Sequence, residues 1–153
     1  MNRPGRGQPD RVTDTFDLQR FVDAQDAGDT YAAALAELRA GHKTSHWMWF
    51  VFPQLAGLGR SATAQRYAIS GPDEARAYLA HPVLGPRLQK SAGALTELDT
   101  TDPVAVLGGI DAQKLRSSMT LFAAVSGQPV FTSVLDQYFG GAPDPGTTSL
   151  LPA

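Results

Sequence analysis

The chain has 153 residues, is 42% hydrophobic, lacks cysteine and carries a formal net charge of −2. That length suits one domain, able to bury roughly two thirds of the surface its unfolded form would expose. The missing cysteine excludes disulfides, thiolate metal sites and a cysteine nucleophile, and suits a reducing compartment. No apolar run approaches the roughly 18 residues needed to cross a bilayer, and no apolar stretch follows the N-terminal arginines as a signal peptide would require. The expectation is a cytoplasmic protein with no membrane partner.

Residues 1–14, "MNRPGRGQPDRVTD", are polar, rich in Gly, Pro and Arg, and aperiodic, which predicts a disordered extension. A single helical domain is expected over 15–145. Asp17 is positioned to cap a short helix carrying Leu18, Phe21 and Val22, ended by "DAGD". Asp29 or Thr30 starts a second, with Tyr31, Leu35 and Leu38 in a stripe and Gly41 as its stop. "WMWFVF" suits a buried strand or a buried helix by length alone. With no second alternating run to pair with, a helix from about Ser45, ended by Pro53, is the better reading. Ser61 or Thr63 caps "AQRYAI".

The grammar repeats downstream. "SGPDEARAYLAHP" places Pro72 in a first turn and two acids at the positive end of a helix dipole. Leu84, Leu88, Ser91, Leu95 and Leu98 form a seam, with Pro82 and Pro86 near its start. Asp102 and Pro103 open a short helix closed by Gly108 and Gly109. Asp111 then caps "AQKLRSSMTLFAAV", and Pro129 opens a last helix with Phe131, Val134, Leu135 and Tyr138 inward and Gly140 and Gly141 as its stop. Residues 146–153 read as a loose tail. The predicted fold is all-α, a bundle of about six to eight short helices with non-parallel packing.

Four stretches, "DLQRFVDAQ", "SHWMWFVFPQLAGLGRSATAQRYAI", "EARAYLAHPVLGPRL" and "KLRSSMTLFAAV", in this order and spacing resemble the bacterial domain-of-unknown-function family 1810 over roughly residues 16–140. The resemblance implies a compact, all-helical bacterial protein and no established activity. Members often carry the label calpastatin, which does not suit this chain. Such an inhibitor is a disordered segment that folds on its protease, whereas capped amphipathic helices build a core.

Charge is unevenly distributed. Residues 1–13 sum to +2, 14–38 to −5, 39–90 to +5 and 91–153 to −4, and all three histidines lie in the basic segment. An anion is therefore expected near the middle of the chain, unless the cations there neutralise the acidic flanks.

Within that segment, "GLGRSA", residues 57–62, formally fits G-x-G-x-x-A. It does not directly follow a strand, so no dinucleotide cofactor is expected. Glycines before a helix start, with Arg60 and Ser61, still suit a small anion. His42 and His46 stand four apart but lack a third ligand and a glutamate base, so no metal is expected. His46 is the candidate acid–base residue. Trp47 and Phe50 share one helical face and Trp49 and Phe52 another, so the aromatics either fill a centre or line a pocket. Gln54 could read a ligand edge or cap carbonyls. On the Asp111 helix, Lys114 and Ser117 stand in the reverse order of a Ser-Lys pair, and Ser118 faces inward and needs a hydrogen-bond partner.

The candidate ligand-binding set is thus Lys43, His46, Trp47, Trp49, Gln54, Gly57, Gly59, Arg60, Ser61, Tyr67, Lys114 and Ser118. It suggests a pocket-bearing protein, enzymatic or not, for a small anion with a flat, nucleotide-like moiety, centred on 43–67. The alternatives are a protein–protein interaction module using exposed aromatics, and a nucleic-acid binder, which the mildly acidic chain disfavours.

Overall fold

The computed structural model describes residues 14–152, and its described residues are helical with only one isolated β-bridge. Ten α-helices occur in chain order among the described residues: α1 Gln19–Asp26, α2 Thr30–Ala40, α3 Met48–Val51, α4 Ala62–Arg66, α5 Pro72–Ala80, α6 Leu84–Thr96, α7 Pro103–Leu107, α8 Gly109–Ser126, α9 Pro129–Phe139 and α10 Pro145–Leu150, with a 3₁₀ turn at Ala27–Asp29. Six of them reach eight residues or more. The others are single turns that set loop direction.

Most boundaries follow the local chemistry read from the sequence. Gly41 at φ 75° and Gly140 at φ 61° end α2 and α9 in the left-handed region, where a side chain would be strained. Ser61 accepts from the Ala64 amide at the start of α4, and Asp102 accepts from Val104 and Ala105 at the start of α7. The α6 seam buries Leu84, Leu88, Ser91 and Leu95, and the Ser91 hydroxyl is satisfied by the Arg87 carbonyl one turn back. His81, two residues before the N-cap Val83, steadies the approach to this helix, its Nδ1 accepting from the Val83 and Leu84 amides.

Four expectations need correction. Asp17 does not cap α1: its φ is 53°, and a turn places the Asp14 carboxylate on the Leu18 and Gln19 amides instead. The helix expected from Ser45 is one turn long, Met48–Val51. Trp47 and Phe52 lie just outside it, so helical phase does not apply to them, and both are fully buried with ring centroids 6.4 Å apart. Asp111 does not cap α8, which starts two residues earlier after Gly108. The tail expected to be loose forms α10, capped by Asp144 through the Thr147 amide. The expected N-terminal extension, apart from Asp14, lies outside the described residues.

α8 is the centre of the molecule, packed against α5, α7, α9 and α10. Leu115, Met119, Leu121 and Phe122 along it are fully buried. One apolar cluster runs from Leu18 to Tyr138 through every helix except α4 and α10. Burial of this kind contributes about 25 cal/mol per Å² of apolar surface and is the main driving term. Polar ties fix the periphery. The Arg20 guanidinium on α1 donates to the carbonyls of Phe16, Asp17, Arg66 and Ala68 and pairs with Glu74 at 3.0 Å, so one side chain fastens α1 to α4 and α5. The buried Gln25 amide donates to the Phe50 carbonyl and the Tyr78 hydroxyl and accepts from Arg87.

Candidate functional site

The loop after α2 is shaped by Glu37. Its carboxylate accepts from the Thr44 and Ser45 amides, the Ser45 hydroxyl and Trp47 Nε1, the last at 2.9 Å. Burial pushes this carboxyl up, but the four donors outweigh it and hold it at about 2. The loop so fixed delivers Lys43 to the start of α8, where its amide also donates to the Val106 carbonyl at 2.8 Å. Lys43 Nζ lies 2.8 Å from one Asp111 oxygen and 5.2 Å from the Trp47 ring centroid. Lys114 Nζ lies 3.6 Å from the other oxygen and 4.9 Å from the Trp49 ring. Asp111 therefore bridges two ammonium groups, each against an indole face, an arrangement that favours cations.

Beside this cluster runs an open groove of about 490 Å³. One wall is the turn after Phe52, with Gln54, Leu58 and Gly59; another is the first two turns of α8, with Gly109, Ile110, Gln113, Lys114 and Ser117; the third is the start of α10, with Asp144 and Gly146. The turn is held by an exchange with Ile69, whose amide donates to the Gln54 carbonyl while its carbonyl accepts from Ala56. Gly59 must be glycine here, because a Cβ would stand 2.5 Å from the Ala64 Cβ and 3.1 Å from Gln54 Nε2. A shallower recess lined by residues 107–111 shares Gly109 and Ile110 with the groove.

Asp144 anchors the third wall. Only 5% exposed, its carboxylate accepts from Gln113 Nε2 on Oδ1 and, on Oδ2, from Ser117 Oγ, the Thr147 amide and Thr147 Oγ1. Burial alone would raise its pKa; the donations from Thr147, Ser117 and Gln113 overcome that and lower it below the ordinary carboxylate value. Its own amide donates to Thr120 Oγ1, and Arg116 donates to the preceding carbonyls of Ala142 and Pro143.

The sequence-derived set is divided by the fold. Gln54, Gly59 and Lys114 line the groove, while Lys43, Trp47 and Trp49 belong to the adjoining cation cluster. His46, like His42, is exposed on the loop before α3, and Arg60 is exposed in its turn. Ser61 is engaged as a helix cap. Gly57, at φ 99°, lies under Leu150. Tyr67 packs between Phe21 and Phe50 with Arg66 against its ring. Ser118 is fully buried with no hydrogen-bond partner among the described residues, contrary to the expectation that it would find one. Among the described residues no three His, Asp or Glu side chains come together as a metal site would need. The basic middle segment is in part neutralised by the flanks, through Lys43 with Asp111 and Arg87 with Asp26.

Sequence reasoning missed Glu37, Gln113 and Asp144, and weighed Ser117 only as half of a reversed Ser-Lys pair. A signal for Asp144 was present: in "PDPGTT" an aspartate precedes proline and stands three residues before a threonine, the grammar of a helix start.

Fold and site together define a class: an all-helical protein with one core, whose groove is assembled where a central helix begins. Within that class, the chain matches the model of the family described as "Protein of unknown function (DUF1810)" over residues 15–151, and it belongs to that family. It is similar to the crystal structure of the conserved hypothetical protein Rv1873 from Mycobacterium tuberculosis, with 48% identity over 89% of this chain and 96% of that one and a TM-score of 0.86. No curated protein matches the chain. Among the described residues no helix is long and apolar enough to cross a membrane.

Proposed function

We propose that the groove binds a small anionic ligand with a flat, nucleotide-like moiety, Lys114 meeting the anion. The observation that carries this reading is the setting of Lys114: it opens on the groove, backed by the Trp49 ring at 4.9 Å and held by Asp111 only at 3.6 Å. An ammonium so placed keeps hydrogen-bond donors for a ligand oxygen. Leu58 and Ile110 supply apolar walls against which a flat group can lie, and the Gln54 carboxamide supplies a donor and an acceptor. Lys114 is the one cation among the described residues that line the groove, and the one anion there, Asp144, is turned to four hydrogen-bond donors of its own.

A thermal-shift titration with adenosine monophosphate tests it. A ligand at about 100 times its dissociation constant stabilises the fold by about 2.7 kcal/mol, a shift of several degrees at this size. The shift is expected in the native protein and should largely disappear in Lys114→Met. No shift with nucleotides, sugar phosphates or inorganic phosphate would sink the reading.

One observation favours the interaction module as a second reading. Ile110 is 78% exposed and Val104 55%, apolar area of a kind that protein partners cover. Retention of a partner by the native protein, lost in Ile110→Asp while the ligand panel stays silent, would move the assignment there.

A further inference from the structure

Asp144 does more for the groove than cap a helix. An ionised carboxylate offers about four acceptor positions. Here Oδ2 takes three donors, Ser117 Oγ, the Thr147 amide and Thr147 Oγ1, while Oδ1 takes one, Gln113 Nε2. Counted as two positions on each oxygen, Oδ2 is more than filled and Oδ1 keeps one open, on a side chain that lines the groove. Asp144 is 5% exposed, and among the described residues its carboxylate has no Lys or Arg partner and its charge is held by neutral dipoles. Gln113 Nε2 has a second N–H beyond the one given to Asp144, and the Gln54 carboxamide across the groove has no hydrogen-bond partner among the described residues. Gln113 and Ser117 are four apart on α8 and so share the face that meets Asp144; Lys114 is their neighbour on the same turns.

We infer that this end of the groove reads a hydroxyl group, and that the ligand is a hydroxylated anion of the sugar phosphate class, its hydroxyl on Asp144 and Gln113 and its phosphate on Lys114. The inference rests on the proposed anion site and adds the ligand's neutral half. A hydroxyl is preferred to an ammonium because it both donates and accepts. Asp144 Oδ1 accepts the hydroxyl's hydrogen bond, and the free N–H of Gln113 donates to its oxygen, with the Gln54 carboxamide facing it across the groove. An ammonium would leave those N–H groups unmatched. The apolar walls, Leu58 and Ile110, suit the C–H face of a sugar ring as well as a flat base.

The test compares ribose 5-phosphate with methyl phosphate, which carries the anion without the hydroxyls, by isothermal titration. The native protein is expected to bind ribose 5-phosphate about tenfold more tightly, the gain of one hydrogen bond to a charged acceptor. Gln113→Met removes the hydroxyl's donor while leaving Ser117 and Thr147 on Asp144, so α10 stays capped. It should reduce the preference to about twofold or less with methyl phosphate affinity unchanged. Equal binding of the two probes by the native protein would overturn the inference and leave the anion site standing. A preference undiminished in both Gln113→Met and Asp144→Asn would overturn it too. Binding of neither probe would remove the anion site and the inference with it.

Discussion

Glu37 shows how much one side chain can determine. It is half-buried and satisfies two amides, a hydroxyl and an indole N–H across the loop that presents Lys43. Glu37→Gln keeps the shape but halves the acceptor capacity and removes the charge. We expect it to lose about 1–2 kcal/mol in urea unfolding at pH 7. The carboxyl sits at about 2 in the folded chain against an ordinary 4.5, so its stabilisation is fully present above about pH 4.5 and is lost as pH falls through about 2. The difference between native and variant should close over that window. A difference independent of pH would mean that packing, not the charge, is responsible. Little of this was legible in advance, because Glu37 reads as one more exposed helix acid until the chain folds back over it.

Among the elements, α10 contributes no residue to the buried apolar cluster. Thr147 is its one buried residue, and Asp144 joins it to α8 through Gln113, Ser117 and Thr120. An element fastened this way can open by itself. In Asp144→Ala, amide exchange over residues 147–151 should accelerate strongly while amides within α8 keep protection close to that of the native protein. Equal acceleration in both would show that α10 is part of the cooperative core. The same contrast explains which elements the sequence disclosed. α6 and α9 bury stripes at helical spacing and announce themselves, and the caps Ser61 and Asp102 mark α4 and α7, whereas α3 and α10 are single turns whose extent depends on contacts beyond themselves. The aromatic run illustrates the failure: placing Trp47 and Phe52 by helical phase assumed a helix twice as long as the one that formed.

For the molecule as a whole, the single apolar cluster predicts one unfolding event. Trp47 is fully buried and Trp49 half-buried, so fluorescence reports the centre while far-ultraviolet dichroism reports the helices. The two signals should share one urea midpoint, with a slope of about 1–3 kcal/mol per molar. Separate midpoints would divide the fold into two units. Charge also resolves at this scale. The basic middle of the chain is not one cationic patch, because Lys43 and Arg87 turn to acids from other segments, leaving Lys114, from an acidic segment, as the lysine that lines the groove.

What the sequence determined by itself is the helical class and most helix ends, since those depend on interactions within a few residues: apolar spacing of three and four, a hydroxyl or carboxylate on the first free amides, a glycine where φ turns positive. The groove was decided only by the tertiary structure. Its walls come from residues 54–59, 109–117 and 144–146, and nothing local in any of these segments states which of the others it will face. Gln54, Gly59 and Lys114 could be nominated from their chemistry; Asp144, Gln113 and Ser117 acquire theirs only from one another, when α10 docks on α8.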